Sequence, residues 1–245
     1  MTGLVPDRYT LQARWIPAIA FISVPILLLM AWFAELRGLW TVAPFATVGL
    51  AAAAMLGSWV GKKGKSVEAI LFRKWEGVPT TALLRHTDAT LDRATKARYH
   101  HILETNCAGF RSASLEEEMA APSSADDQYS SGVRWLQAQI RDRKTAPLVH
   151  EANISYGFAR NLFGVRCAAL GLASVSIAAS LMVLAIGYWS ECRAGPVEAL
   201  VSTASGLAVL LCWVYMVDEA SVKRAGVAYA KALLEVLDKL PRSLP

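Results

Sequence analysis

The sequence predicts an all-α integral membrane protein, with four transmembrane helices in two hairpins flanking a helical cytoplasmic insert. Two observations predict this class. The 245-residue chain is 54% hydrophobic and only 18% charged, with mean hydropathy +0.34, whereas an average soluble domain carries about a quarter charged residues. The apolar surplus is also concentrated, since no Asp, Glu, Lys or Arg occurs in residues 15–34, 38–61, 167–190 or 199–217. Each run is long enough to cross a bilayer core of about 30 Å as a helix, and together they leave too little chain for a soluble fold to surround them.

The first apolar run, residues 15–33, reads as a membrane span in place of a cleaved signal peptide, because the bulky residues 30–34 offer no convincing small-x-small cleavage site. Pro17 and Pro25 lie in it, and Pro25 removes a backbone hydrogen bond in mid-helix, which predicts a kink. Trp15, Trp32, Trp40, Trp59 and Trp189 fall near span ends, where an amphipathic ring is best satisfied at the headgroup level. In span two Gly49, Ala53, Gly57 and Gly61 recur every fourth residue, a small-residue stripe that lets another helix approach closely. That stripe serves either an oligomer interface or packing within one copy. Spans three and four carry hydroxyls instead. Ser176, Ser180 and Ser202 either line a weakly polar passage or bond back to their own helices. Mid-membrane positions carry no ionisable residue, which argues against a proton-coupled pump or ion-coupled carrier.

Net charge is +5, and its placement sets orientation. The turns at Arg37 and Arg193 hold one basic residue each. The N-terminal arm holds Arg8 and Arg14, residues 62–166 hold sixteen Lys and Arg, and the tail holds five. By the positive-inside rule both termini and residues 62–165 are cytoplasmic. The predicted organisation is an N-terminal transmembrane hairpin (1–61), a cytoplasmic helical domain (62–165), a C-terminal transmembrane hairpin (166–217) and a cytoplasmic amphipathic tail (218–245). Cys107, Cys167, Cys192 and Cys212 have no metal-ligand spacing, so neither a zinc site nor a structural disulfide is expected.

Within the insert, span two is expected to extend past Lys62, Lys63 and Lys65 until Gly77 and Pro79 stop it. A helix is predicted over residues 88–105, with Leu91, Ala94, Ile102 and Leu103 inward. Residues 106–125 read as a loop with a short helix capped by Ser114 and Glu117. Tyr129, Val133, Leu136 and Ile140 predict a helix over 126–141. After Pro147, residues 151–164 lead into span three. In the tail, Val227, Ala230, Leu234 and Leu237 give an apolar face about two heptads long.

Chemistry is harder to place. Asp88, Asp92, Lys96, His100 and Glu104 recur every fourth residue and would form one polar stripe, either a solvated helix face or an acid–base or metal-binding row. No nucleotide-binding glycine loop, HExxH or nucleophile elbow is present, and neither cofactor nor metal nor catalytic residue is assigned. The insert's basic excess, sixteen to twelve, points instead to an anionic ligand. Lys74, Arg85, Lys96, Arg98 and Arg160 are its candidate contacts, with Trp75, Tyr99, Trp135 and Tyr156 available for stacking on a nucleotide or single-stranded oligonucleotide.

The insert carries Lys74-Trp75-x-Gly77-x-Pro79-Thr80-Thr81-x-x-Leu84-Arg85-His86, Lys96-x-Arg98-Tyr99-His100, Ala125-Asp126-x-x-Tyr129, Trp135-Leu136 and Asn153-x-x-Tyr156-Gly157-Phe158-x-Arg160-Asn161. Over residues 60–165 this order resembles a family of small bacterial multi-pass proteins, the membrane effectors of Hailong-type anti-phage defence systems. The resemblance implies an inner-membrane, homo-oligomeric, channel-like effector, held shut or opened by a nucleotide or oligonucleotide signal from a cytosolic partner. It transfers no ligand-binding residue. Two other readings stand beside it: a membrane-anchored enzyme acting on a phosphate ester through the Asp88–Glu104 row, and a non-catalytic adaptor for a cytosolic protein.

Overall fold

The computed structural model of the chain describes residues 6–32, 43–142, 144–190 and 196–240, with backbone alone at 30–32, 43–48, 50, 187–190, 196, 198 and 199. The turns at Arg37 and Arg193, together with Trp40 and Cys192, lie outside the described residues, as do the side chains of Trp32 and Trp189. Among the described residues the regular structure is entirely helical. Helix α1 (Ile16–Trp32) is entered through a π-helical turn (Thr10–Trp15) and contains Pro25. It is followed by α2 (Ala43–Lys74), α3 (Pro79–Ala82), α4 (Arg93–Asn106), α5 (Leu115–Ala120) and α6 (Pro122–Gln139). The chain continues through α7 (Pro147–Ser190), α8 (Pro196–Met216) and α9 (Glu219–Leu234), which a 3-10 turn (Glu235–Lys239) prolongs.

Two described segments, Thr10–Leu29 and Pro147–Ile186, are long and apolar enough to cross a membrane, or up to three if Leu200–Met216 and Glu219–Lys239 count as one bent span. The chain forms two compact units, one from Met1–Glu68 and Gly157–Val222, the other from Ala69–Tyr156 and Lys223–Pro245. The tail therefore belongs with the insert.

In unit 1, α1 packs against α8, and Ala18, Val60, Val165, Ala169 and Trp213 form a buried cluster. Its tightest approach is between α2 and α7. A Cβ built on Gly164 would stand 2.7 Å from both Cα and N of Gly64, so only hydrogen fits there. Of the predicted small-residue stripe, Gly57 faces Trp15, whose Cδ1 would lie 2.8 Å from an added Cβ, and Gly61 faces Arg14, whose Nε would lie 3.4 Å from one. Those two positions pack within the chain. Ala53 is half-buried, and Gly49 is exposed with no described atom within 4 Å of its added Cβ.

Unit 2 has its own core. Leu84, Leu103, Tyr129 and Leu136 from the insert bury with Ala230, Leu233, Leu234 and Leu237 from the tail. Leu103 points inward and Ile102 is half-buried, as their spacing predicts, but Ala94 is exposed, and Leu91, half-buried, lies before the helix. The predicted helix over 88–105 begins only at Arg93. Asp88 Oδ1 accepts from the Thr90 N–H at 2.8 Å, and Asp92 becomes the N-cap, accepting from Thr95 N–H at 2.8 Å. Short carboxylates that bond to nearby backbone in this way favour turns and caps over helix interior. The capping box of Ser114 and Glu117 forms with both reciprocal bonds. Helix α6 starts four residues before the predicted 126, with Pro122 in its first turn, where a missing N–H costs nothing.

The Gly64–Gly164 crossing gives a direct test. Gly164→Val should destabilise the protein by about 1–3 kcal/mol through overpacking, while Gly49→Val should leave its thermal midpoint in detergent within about 2 °C of the parent. Equal midpoints for the two variants would refute the crossing.

Candidate functional site

The densest polar arrangement in the described residues lies in unit 2, where the α3–α4 segment meets α5 and α6. It begins at the end of α2. The Gly77 N–H donates to Phe72 O at 2.9 Å and the Glu76 N–H to Arg73 O at 3.3 Å, the paired bonds of a Schellman ending. That ending needs left-handed backbone, supplied by Glu76 at φ 59° and followed by Gly77 at φ 148°. Gly77 has a second reason to lack a side chain, since a Cβ would lie 2.6 Å from Arg85 Nη2. The Arg85 guanidinium occupies that space, donating to Glu76 O at 2.6 Å and forking onto Asp126, with Nε to Oδ1 at 2.7 Å. The bond to Asp126 raises its pKa.

Glu118 is the centre of the arrangement. Only 4% exposed, it accepts from His86 N–H at 2.8 Å, from Thr87 N–H at 3.2 Å and hydroxyl at 3.0 Å, and from the Tyr129 hydroxyl at 3.0 Å. Burial alone would raise its pKa, yet these donors hold it below the usual carboxylate value. Tyr129 is pushed up by burial and by its bond to Glu118. Lys96, also 4% exposed, donates from Nζ to the carbonyls of Arg85 and Asp88. Burial lowers its pKa.

Two histidines complete the cluster. His100 Nε2 pairs with Leu84 O and His86 Nε2 with Ala113 O, both at 2.8 Å, so each Nε2 carries its proton toward a carbonyl. The two rings meet edge to face at 5.2 Å, and His100 stacks on Tyr129 at 5.5 Å. Burial, opposed by the Leu84 carbonyl, pushes His100 below the ordinary histidine value.

The five candidate anion contacts are not brought together. Arg160 belongs to unit 1, where it is 7% exposed and holds both oxygens of Glu68 at 3.1 Å, beside Asn161. Arg98 forks onto Asp238 of the tail, Nε to Oδ1 at 2.7 Å and Nη2 to Oδ2 at 3.1 Å. Arg85 and Lys96 are held as described, and Lys74 is exposed at the end of α2. The polar row is dispersed as well. Asp88 and Asp92 precede the helix, Lys96 and His100 are buried instead of solvated, and Glu104 bonds to Ser112 N–H at 2.9 Å. Among the described residues no cluster of three or more metal-ligating side chains occurs. In unit 1 the Ser180 and Ser202 hydroxyls bond each other at 2.6 Å and Thr203 donates to Ser180 at 3.1 Å, while Ser176 is buried.

Glu118, Asp126 and Asn161 are functional to the architecture and were not singled out by sequence spacing. Asn161 Nδ2 donates to Ala13 O at 2.6 Å. Its place in the quoted Arg160-Asn161 pair is the only sequence signal that touches it. Comparison with family models, with curated proteins and with solved structures gave no match to this chain.

Two outcomes follow from this geometry. Glu76→Gly should stabilise the protein by about 1 kcal/mol by removing the left-handed strain, measured by denaturant titration. His100 stays neutral in the folded state below its unfolded pKa, so the unfolded chain binds the extra proton. Stability is full above pH 7 and falls as pH drops from the unfolded value near 6.5 toward the lower folded one. The thermal midpoint should therefore fall between pH 7.5 and 5.5, and the fall should be shallower in His100→Gln. An identical pH dependence in parent and variant would clear His100 of the effect.

Proposed function

We propose that the chain is a multi-pass inner-membrane effector. Four helices span the membrane, and both termini and the insert face the cytoplasm. Copies associate, and the assembly forms a channel-like path controlled by a nucleotide, an oligonucleotide or a protein partner that engages unit 2. The observation that carries this reading is the contrast between the two units. Unit 1 turns Met55, Val175, Met182, Leu200 and Tyr215 outward, each more than half exposed, as a lipid-facing surface requires. Unit 2 closes a core of its own, buries Glu118 and Lys96 only with hydrogen-bonding partners, and leaves Lys74, Arg93, Arg141 and Lys144 among its exposed charged side chains.

The resemblance of residues 60–165 to Hailong-type effectors supports the same reading. Because Ser180, Ser202 and Thr203 satisfy one another between α7 and α8, the conducting path is assigned to the seam between copies. Arg85 and Lys96 are tied to internal carbonyls and Arg98, though exposed, is paired with Asp238, so the ligand's contacts in unit 2 are assigned to the exposed cations Arg93, Arg141 and Lys144.

The test is conductance of the purified protein in planar bilayers, with and without a panel of nucleoside triphosphates and short single-stranded oligonucleotides. Discrete conductance that one of these switches is the expected result, weakened as salt rises and lost in Arg93→Glu/Arg141→Glu. Silence in every condition, with turnover of a phosphate ester, would replace this reading by a membrane-anchored enzyme. Silence in both assays would leave an adaptor.

A further inference from the structure

In unit 1 a set of cations and indole rings collects around one turn of α2 and the segment packed on it. Lys62, Lys63 and Lys65 are exposed on α2, and Arg14 lies against Gly61 through its Nε. Trp15 packs on Gly57 one turn earlier, and Lys63 Nζ stands 5.9 Å from the centroid of Trp59. Trp59, 36% exposed, is braced by Phe21 at 5.4 Å, so its ring is held at this level while part of it faces outward.

Along α2 these lysines have no acidic neighbour before Glu68. The sequence has no Asp or Glu between Glu35 and Glu68, and Glu68 is held by Arg160 at 3.1 Å. A row of exposed ammonium groups beside indole rings, at the end of apolar helical runs, matches the boundary of a bilayer whose inner leaflet is anionic. The indoles suit the headgroup level and the lysines suit its phosphates. We infer that the turn bearing Lys62, Lys63 and Lys65, with Trp15 and Trp59, is a selective docking surface for anionic phospholipid headgroups, phosphatidylglycerol or cardiolipin in chemistry.

This inference rests on the proposed membrane reading, and the experiment separates the two. Membranes containing the full-length protein are first extracted with alkaline carbonate. Release into the supernatant overturns the membrane reading itself. If the protein is retained, it is purified in neutral detergent, and its thermal midpoint is followed on titration with dioleoylphosphatidylglycerol, dioleoylphosphatidylcholine or inorganic phosphate.

The expected result is a saturable rise with phosphatidylglycerol alone. Lys62→Gln/Lys63→Gln/Lys65→Gln should weaken half-saturation roughly 100-fold, about fivefold per lysine, and the corresponding triple arginine variant should restore it. Equal responses to the two lipids, or an unchanged half-saturation in the glutamine variant, overturn the inference while leaving the membrane reading intact. A rise of the same size with inorganic phosphate overturns the lipid assignment in favour of a soluble anion. If the glutamine variant has a depressed midpoint before any lipid is added, half-saturation is still read from the titration, and an undiminished response there also overturns the inference.

Discussion

The buried carboxylate of Glu118 has to be given donors before the core of unit 2 can close around it, because an unpaired charge in that setting is costly. Its donors come from two places: the backbone and hydroxyl of the His86–Thr87 segment, and the Tyr129 hydroxyl on α6. Meeting that demand fixes the path of the chain after α3. Lys96 then clamps the same path from the α4 side through the carbonyls of Arg85 and Asp88, and His100 does so through Leu84 O. With the loop fixed, Asp92 is left at the position where α4 must begin. Removal of Glu118 would strand several donors at once, a loss on the order of 3–5 kcal/mol.

Local signals were legible in the sequence because their partners lie within a few residues. The stop at Gly77 and Pro79, the Ser114–Glu117 box and the three-four spacing of Tyr129, Val133, Leu136 and Ile140 all reach the structure intact. The tail's apolar face was readable too, but its partner was not, since Ala230 and Leu234 share one buried cluster with Leu103 and Leu136, about a hundred residues away in sequence. The candidate site failed at the same range. Arg85 finds Asp126 at 41 residues' distance and Arg98 finds Asp238 at 140, and no periodicity encodes such pairings. A fourfold spacing of charged residues suggested one face from Asp88 to Glu104, but spacing carries no information on where a helix starts.

The quoted motif residues acquire a common physical meaning in the fold. Gly77 makes room for Arg85, Pro79 starts α3, Thr81 bonds Val78 O at 2.9 Å and Leu84 is fully buried. His86 and His100 meet as rings, and Tyr156 stacks on Tyr229 at 6.3 Å. In unit 1 Gly157 admits Tyr9, and Arg160 with Asn161 ties α7 to Glu68 and Ala13. Thr81, His86, His100 and Asn161 each bond a backbone carbonyl, and Arg85 and Lys96 do the same. Charge reversal at Arg85 or Lys96 would therefore break the fold of unit 2 before it could report on a ligand, which moves any test of ligand contact to the exposed cations.

The same division bears on where a change of packing can occur. A ligand acts as a switch only if it favours one packing over another, and the difference it can supply is a few kcal/mol. The network around Glu118 and Lys96 cannot rearrange within that range, since doing so uncovers two buried charges together. The contacts between α7 and α8 are of another kind. Ser180, Ser202 and Thr203 share hydroxyl bonds, and such interhelical bonds average only about 0.6 kcal/mol in a membrane. Each hydroxyl can exchange its partner for a carbonyl one turn back on its own helix at little cost. Under the proposed reading, α7 and α8 can shift past each other while the core of unit 2 stays closed, so a rigid receiving unit and a permissive membrane bundle follow from the same distribution of polar groups.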